Sequence, residues 1–119
     1  MAEPYLERLS LIAGRLELNR IRGVSLETKH FFSGAALYAN EKICASLSPA
    51  GLALKLPAGM RQGLIEEGKG SEFRFFAKGP IKREYVNLSE SITQDEWALQ
   101  ELIISSIDYV LDRPGSDAG

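Results

Sequence analysis

Cys44 and His30 are the first residues to consider for chemistry, because the chain has one cysteine and one histidine. A thiol nucleophile needs a nearby base, and His30 is the sole histidine that could supply one. The two residues are fourteen positions apart, and this spacing gives no reason to pair them. Since single cysteines and histidines commonly serve packing and surface roles, we interpret both as structural. A small enzyme that uses Cys44 and His30 is the alternative.

The sequence contains no other pattern that is typical of catalysis or of metal binding. One cysteine can form neither an internal disulfide nor a thiolate metal cluster. The glycines at positions 59, 63, 68 and 70 do not have the spacing of a phosphate-binding loop. Carboxylates on predicted helices show no acid–base or metal-ligand pattern; they are Glu66, Glu67, Asp95, Glu96 and Asp108. We therefore expect no catalytic residue, no metal and no cofactor, and we predict that the protein is not an enzyme.

A concentrated group of basic residues surrounds a glycine-proline turn beside Phe76 and Tyr85. We call this group the basic cluster, and it consists of Arg74, Lys78, Lys82 and Arg83. Basic side chains next to aromatic rings suit single-stranded nucleic acid or a small phosphorylated ligand. The favoured interpretation is a solvated strand edge whose charges discourage association. A net charge of −2 and a pI of about 5.5 also disfavour nucleic acid as a partner.

Length and composition indicate one ordinary soluble domain. The chain has 119 residues, of which 45% are hydrophobic and 25% are charged. It has no run of about 18 apolar residues, and its N-terminus is acidic where a signal peptide would be basic. We expect a cytoplasmic protein that does not enter a membrane. One domain should occupy residues 1–112, followed by a flexible tail over residues 113–119.

Residues 31–57 are predicted to form three strands. Hydrophobic residues alternate with polar or small ones over residues 43–47 and 52–56, which is the period of a strand with one apolar face. The first of the three strands covers residues 31–39 and is rich in small side chains. In it, Gly34 and the two alanines after it indicate a bulge or a place where a helix lies close to the backbone, with a ligand against the bare backbone of Gly34 as the less favoured interpretation.

Two tight turns connect these strands. Residues 48–51 have the proline and glycine that a type I turn favours. Asn40 and Glu41 join the first strand to the second, and asparagine tolerates the positive φ that such a turn needs. Glutamate is a poorer second residue there than glycine.

Helices are predicted before and after the strands. Apolar residues recur at three- and four-residue steps over residues 4–18, and a weaker helical stretch with two glycines follows residue 57. The last helix has the clearest pattern. Thr93 and Glu96 form a capping box at its start, and Trp97 is the anchor of its apolar stripe.

Two further strands are predicted over residues 71–77 and 83–88, whereas residues 21–30 are either a connector or the lead-in to the first strand. The resulting order, α-β-β-β-α-β-β-α, indicates an α+β protein. We predict two layers, with an antiparallel sheet of about five strands and the helices on one face. The predicted core contains Trp97, Ile103, Leu47, Leu54 and Phe75.

The sheet face without helices is the predicted interaction surface. Phe31, Phe76 and Val86 are expected to contribute apolar area to it, and Lys55, Arg74 and Lys82 to steer an acidic partner. A protein partner is expected, and a homodimer formed through an open strand edge is its simplest version.

Several packing and turn motifs resemble those of the TfoX/Sxy family. They are Phe32-Ser33-Gly34, Ala36-Leu37-Tyr38, Asn40-Glu41-Lys42, residues 51–56 and residues 75–80 with Tyr85. Ser33 and Glu41 stand where the family has glycines. Members of this family with a second, helical domain regulate natural competence together with a transcription activator at promoters. The resemblance implies a bacterial, non-enzymatic regulatory or protein-interaction module, and it implies no catalytic residues.

Overall fold

The computed structural model describes residues 3–17, 23–31, 34–74 and 78–112. The elements follow one another as α1 (Glu3–Arg15), β1 (Leu26–Phe31), β2 (Gly34–Ala39), β3 (Lys42–Ser48), β4 (Gly51–Lys55), α2 (Ala58–Glu66), β5 (Gly70–Glu72), β6 (Tyr85–Leu88), α3 (Glu90–Thr93) and α4 (Glu96–Asp112). Among these described helices, none is both long enough and apolar enough to cross a membrane. The predicted tail over residues 113–119 lies outside the described residues.

The strands form one antiparallel sheet in the order β1-β2-β3-β4-β6-β5. Helix α1 packs on β1, β2 and β3, and helix α4 packs on β2, β3 and β4 of the same face. The predicted α+β class and antiparallel sheet are confirmed. The sheet has six strands where we predicted about five, and the short helix α3 precedes the last helix.

Strand β1 accounts for the additional strand. It pairs with the full length of β2, from Leu26 opposite Ala39 to Phe31 opposite Gly34. The single strand predicted over residues 31–39 therefore corresponds to the end of β1 and all of β2. Because β1 consists mainly of polar residues and none of its side chains is fully buried, it lacks the apolar alternation that identifies a strand from sequence.

The two C-terminal strands are shorter than predicted. β5 ends at Glu72 and β6 begins at Tyr85, and the two pair with each other at the end of the sheet. Residues 75–77 of the predicted fourth strand lie outside the described residues. Phe73, which follows β5, is buried against Ala53 and Tyr85 on the face opposite to α1 and α4.

Both predicted turns of the central hairpins are present. Asn40 and Glu41 have φ values of 48° and 72°, as a type I′ turn requires. The Asn40 side chain accepts a hydrogen bond from the Ser25 backbone N–H at 2.7 Å, which ties this turn to the start of β1. In the second turn, the Ser48 hydroxyl accepts from the Ala50 N–H at 3.1 Å, and Gly51 completes the turn with a φ of 123°.

Gly34 lies where β2 approaches β3 too closely for any side chain. A Cβ atom at this position would be 2.0 Å from the Leu47 carbonyl oxygen and 2.9 Å from the Ser48 Cα. Close packing at Gly34 is thus confirmed, but the close neighbour is the backbone of strand β3 where we predicted a helix.

The main core fills the space between the sheet and helices α1 and α4. Leu47, Leu54 and Ile103 are buried there, as predicted. Phe75 was also predicted to lie in the core, and it lies outside the described residues.

The prediction for Trp97 is wrong, because its side chain is 70% exposed. The buried stripe of α4 contains Leu99, Ile103 and Ile107 instead. Trp97 is two positions before Leu99, which places it about 200° around the helix from that residue. The indole therefore projects into solvent near the start of α4.

The predicted capping box is also wrong. Thr93 ends α3, where its hydroxyl donates to the Glu90 carbonyl at 3.3 Å. Asp95 caps α4, since its Oδ1 accepts from the Ala98 N–H at 3.1 Å. A two-residue break between α3 and α4 thus shifts the start of the long helix beyond the threonine.

Candidate binding groove

Cys44 lies at a β-bulge between β2 and β3 and is completely buried. Its Sγ donates to the Leu37 carbonyl at 3.4 Å, and the Ser106 hydroxyl donates to the Cys44 carbonyl at 2.8 Å. Burial raises the pKa of the Cys44 thiol to about 12, although Ser106 and Lys55 act in the opposite direction. The thiol is therefore protonated at neutral pH and has no access to solvent.

His30 is exposed on β1 and is not close to Cys44. It lies opposite Ala35, which lies opposite Leu47, and Leu47 is three residues from Cys44 along β3. At about 3.3 Å per residue and 4.8 Å per strand, the Cα atoms of His30 and Cys44 are roughly 14 Å apart. The sheet thus separates the two side chains that a cysteine-based enzyme would have to bring together. Among the described residues, no three histidine, cysteine or acidic side chains are placed to hold a metal ion.

The basic cluster is divided by the fold. The Arg74 Nε donates to the Gly79 carbonyl at 3.0 Å, so this guanidinium is held by its own turn. Lys78 is exposed on the same turn. Lys82 and Arg83, in contrast, line a groove between α2 and the segment that leads into β6.

This groove has a volume of about 520 Å³ and is bounded by two walls. Helix α2 forms one wall, and residues 81–83 form the other, with β5 and β6 beneath. We call it the α2 groove, and the side chains that line it belong to Ala58, Arg61, Gln62, Ile65, Glu72, Ile81, Lys82, Arg83 and Tyr85.

Positive charge predominates in the α2 groove. Arg61, Lys82 and Arg83 contribute three cations, and Glu72 contributes one carboxylate. The Arg61 Nε donates to the Leu56 carbonyl at 2.8 Å, which fixes its guanidinium at the N-terminal end of α2. An anionic group that enters the groove therefore meets a positively charged surface, part of which is already held in place.

The α2 groove also has exposed apolar side chains on both walls. Ile65 is 41% exposed on α2, and Ile81 is 37% exposed on the opposite wall. Tyr85 lies at the base, with its ring 5.4 Å from that of Phe73 and with the Lys55 ammonium 5.5 Å from its centroid. Burial, followed by nearby negative charge, raises the pKa of the Tyr85 phenol, so it remains neutral. The groove thus combines cations with apolar contact area.

Of the three residues predicted to contribute apolar area to an interaction face, Val86 is the one whose prediction is wrong. Val86 is fully buried in the core on the side of α1 and α4, because β6 places Tyr85 and Asn87, and not Val86, on the opposite face. Phe31 is half-buried on β1, and Phe76 lies outside the described residues. The sequence also gave no sign of Arg61 as a binding residue, because Arg61 joins Lys82 and Arg83 only through the packing of α2 against β5 and β6.

These features define a small α+β domain with an open antiparallel sheet and a positively charged surface groove. The family model of the TfoX N-terminal domain matches residues 22–109 of the chain. The chain therefore belongs to the TfoX N-terminal domain family, as the motifs of the central hairpins and of residues 75–80 predicted. A search of curated proteins finds no match to this sequence.

Proposed function

We propose that the protein is a non-enzymatic regulatory module that binds another protein, and that the α2 groove receives an acidic segment of that partner. The observation that carries the proposal is the presence of Ile65 and Ile81, both partly exposed, in one groove with three cations. A partner segment that places a hydrophobic side chain between the two isoleucines would bury their exposed area. Aspartates or glutamates beside that side chain would pair with the cations.

The regulatory part of the proposal rests on the family. The chain matches the TfoX N-terminal domain. The resemblance to two-domain TfoX/Sxy proteins, which regulate natural competence together with a transcription activator, makes a protein the expected kind of partner. The separation of Cys44 from His30, and the raised pKa of the buried thiol, support a role without catalysis.

Nucleic acid is the competing ligand, and it would use the basic cluster. The domain carries a net charge of −2, which does not favour binding to a polyanionic phosphate backbone. A groove of about 520 Å³ also has the size to accept a few side chains. A small phosphorylated ligand would fit the volume but would gain little from the two isoleucines.

The test is affinity capture from native cells with paired variants. Ile65→Glu and Arg83→Glu change the groove. Leu11→Glu and Lys42→Glu are the controls, since each replaces a residue of the same kind, aliphatic or basic, with glutamate at an exposed position elsewhere. A specific partner protein should be captured by the wild type and by both controls, and lost by both groove variants. Capture should survive nuclease treatment and persist at moderate salt.

Three outcomes would contradict the proposal. One is the absence of any captured protein, and another is equal capture by the groove variants. The third is recovery of nucleic acid that is lost steeply as salt rises, since phosphate contacts depend strongly on ionic strength whereas apolar contacts do not. That third result would assign the function to the basic cluster.

A further inference from the structure

Strands β1 and β5 are the two edge strands of the sheet, and β1 is the longer of them. β1 has six residues, whereas β5 at the other end has three and is packed against α2. No strand among the described residues pairs with the outer edge of β1. Such an edge presents backbone N–H and C=O groups in the geometry that another strand would need.

The ladder identifies which backbone groups point outward. The Asn40 N–H donates to the Ser25 carbonyl at 2.8 Å, and the register continues from that pair through the whole of β1. Hydrogen-bonded pairs alternate along an antiparallel ladder, so Glu27 and Lys29 direct their backbone groups toward β2. Leu26, Thr28 and His30 therefore direct theirs toward the open edge.

A second copy of the chain fits this edge about a two-fold axis at Thr28. In that arrangement Thr28 lies opposite its own copy, and Leu26 lies opposite His30 of the second molecule. The three outward-facing residues then form three hydrogen-bonded pairs, each of which exchanges two backbone hydrogen bonds. Glu27 lies opposite Lys29 of the second molecule, and the reverse pair is formed by symmetry.

The neighbouring registers are less favourable. An axis at Glu27 would place two glutamates opposite each other, and an axis at Lys29 would do the same with two lysines. Each of these registers also forms one fewer hydrogen-bonded pair within β1. Directly opposed like charges are destabilising, whereas opposite charges are stabilising. The residues of β1 are thus self-complementary in the one register that also forms the most hydrogen bonds.

The side chains of β1 are available for this pairing. Glu27 and Lys29 are exposed, and their 3.8 Å contact within one chain is a weak surface pair that can be exchanged for contacts between chains. The Lys29 ammonium lies 5.0 Å from the centroid of Tyr38, on the face opposite to α1. Thr28 faces α1, where its hydroxyl lies 2.8 Å from that of Ser10.

We propose that the protein forms a two-fold homodimer by antiparallel pairing of β1 with β1 of a second copy, centred on Thr28. The two sheets then join into one continuous sheet. This interface is at the opposite end of the sheet from the α2 groove, so it does not depend on the proposed function and leaves both grooves accessible.

Charge exchange tests the register. Association is measured by sedimentation equilibrium at low salt, up to roughly 0.5 mM protein. Glu27→Lys and Lys29→Glu each replace two attractive pairs with two repulsive ones, so each should weaken dimerisation about ten-fold or more. The double variant, with the two charges exchanged, should restore the dimer because every opposed pair is again of opposite charge.

A backbone variant tests the edge itself. Thr28→Pro removes an N–H that is not used within the monomer, and proline is tolerated at such edge positions, so the variant should stay folded by circular dichroism but become monomeric. Thr28→Val is the matched control: it keeps the N–H and loses only the hydroxyl contact with Ser10, so it should still dimerise. In the wild-type dimer, the amides of Leu26, Thr28 and His30 should exchange more slowly than in Lys29→Glu.

The proposal is overturned by a wild-type protein that remains monomeric over the whole concentration range. A dimer that is unaffected by both single charge variants would also overturn it. So would a double variant that stays as weak as the single ones, since the register would then not be centred on Thr28. The charge variants keep the proposal falsifiable even if Thr28→Pro does not fold.

Discussion

Gly34→Ala should destabilise the protein strongly, because this position has no room for a methyl group. The added Cβ would be 2.0 Å from the Leu47 carbonyl oxygen and 2.9 Å from the Ser48 Cα. Both of these atoms belong to the backbone of β3, so no side chain can rotate away to make space. The contact can be relieved only if β2 and β3 move apart by more than an ångström at this end.

The cost can be worked from what that movement would disturb. The nearest ladder pair is Ala35 with Leu47, and both side chains are buried in the core. Each ladder hydrogen bond contributes about 1 kcal/mol net, and partial exposure of a leucine adds about 1 to 2 kcal/mol. With strain in the remaining contacts, we expect a loss of about 3 to 5 kcal/mol in the free energy of unfolding.

Urea unfolding followed by far-ultraviolet circular dichroism measures this loss, and Gly63→Ala is the matched control. Gly63 lies inside α2, and an added Cβ there would meet nothing within 4 Å. Alanine should therefore stabilise that helix by up to about 1 kcal/mol, so the same substitution has opposite signs at the two sites. A Gly34→Ala protein within about 1 kcal/mol of the wild type would refute the argument from close strand packing.

Three further predictions concern a turn, the core and the buried thiol. Glu41→Gly should raise the free energy of unfolding by about 1 kcal/mol in the same urea assay, because Glu41 has a φ of 72° that costs a non-glycine residue about this much. Ile103→Ala should lower it by about 2 to 5 kcal/mol, since Ile103 is fully buried under the sheet; a loss below about 1 kcal/mol would contradict that position. Cys44 should react with a thiol reagent only when the protein unfolds. Because folding raises its pKa from 9.0 to about 12, the native state holds the proton more tightly, and the contribution of Cys44 to stability should decrease as pH rises above about 9. Cys44→Ala should remove this part of the pH dependence of stability. Rapid labelling of the Cys44 thiol in the native protein near neutral pH would contradict its burial.

The elements that could be predicted from sequence are those whose signals are local. Strands β3 and β4 alternate apolar and small or polar residues, and the turn between them has Pro49 and Gly51 at the positions that a tight turn favours. The burial of Leu47 and Leu54 was predicted directly from that alternation. These features depend on residues a few positions apart, which the sequence displays without reference to the rest of the fold.

The features that could not be predicted depend on contacts between distant parts of the chain. β1 is a strand because β2 pairs with it along its whole length, not because its own side chains are apolar. Trp97 is a different case: its exposure follows from its position about 200° around α4 from the buried Leu99, although its hydrophobicity favoured the core. The charge of the basic cluster did not show that Lys82 and Arg83 line a groove without Arg74 and Lys78, and only the packing of α2 adds Arg61 to them.

The position of the α2 groove gives a distance that tests the dimer geometry. From β1 to β6 the sheet order has four strand spacings, so a dimer joined through β1 separates the two β6 strands by nine spacings, or about 43 Å before sheet twist. Pairing through the short β5 edges would leave three spacings, or about 14 Å.

A nitroxide attached at Gln62→Cys, an exposed position on α2, reports this difference by double electron–electron resonance. The buried Cys44 should remain unlabelled, so one label per chain is expected. A distance distribution centred near 40 to 50 Å is expected for pairing through β1, given the spacing and the reach of the label. A main distance below about 25 Å would instead place the interface beside the groove, where a partner could not enter it freely.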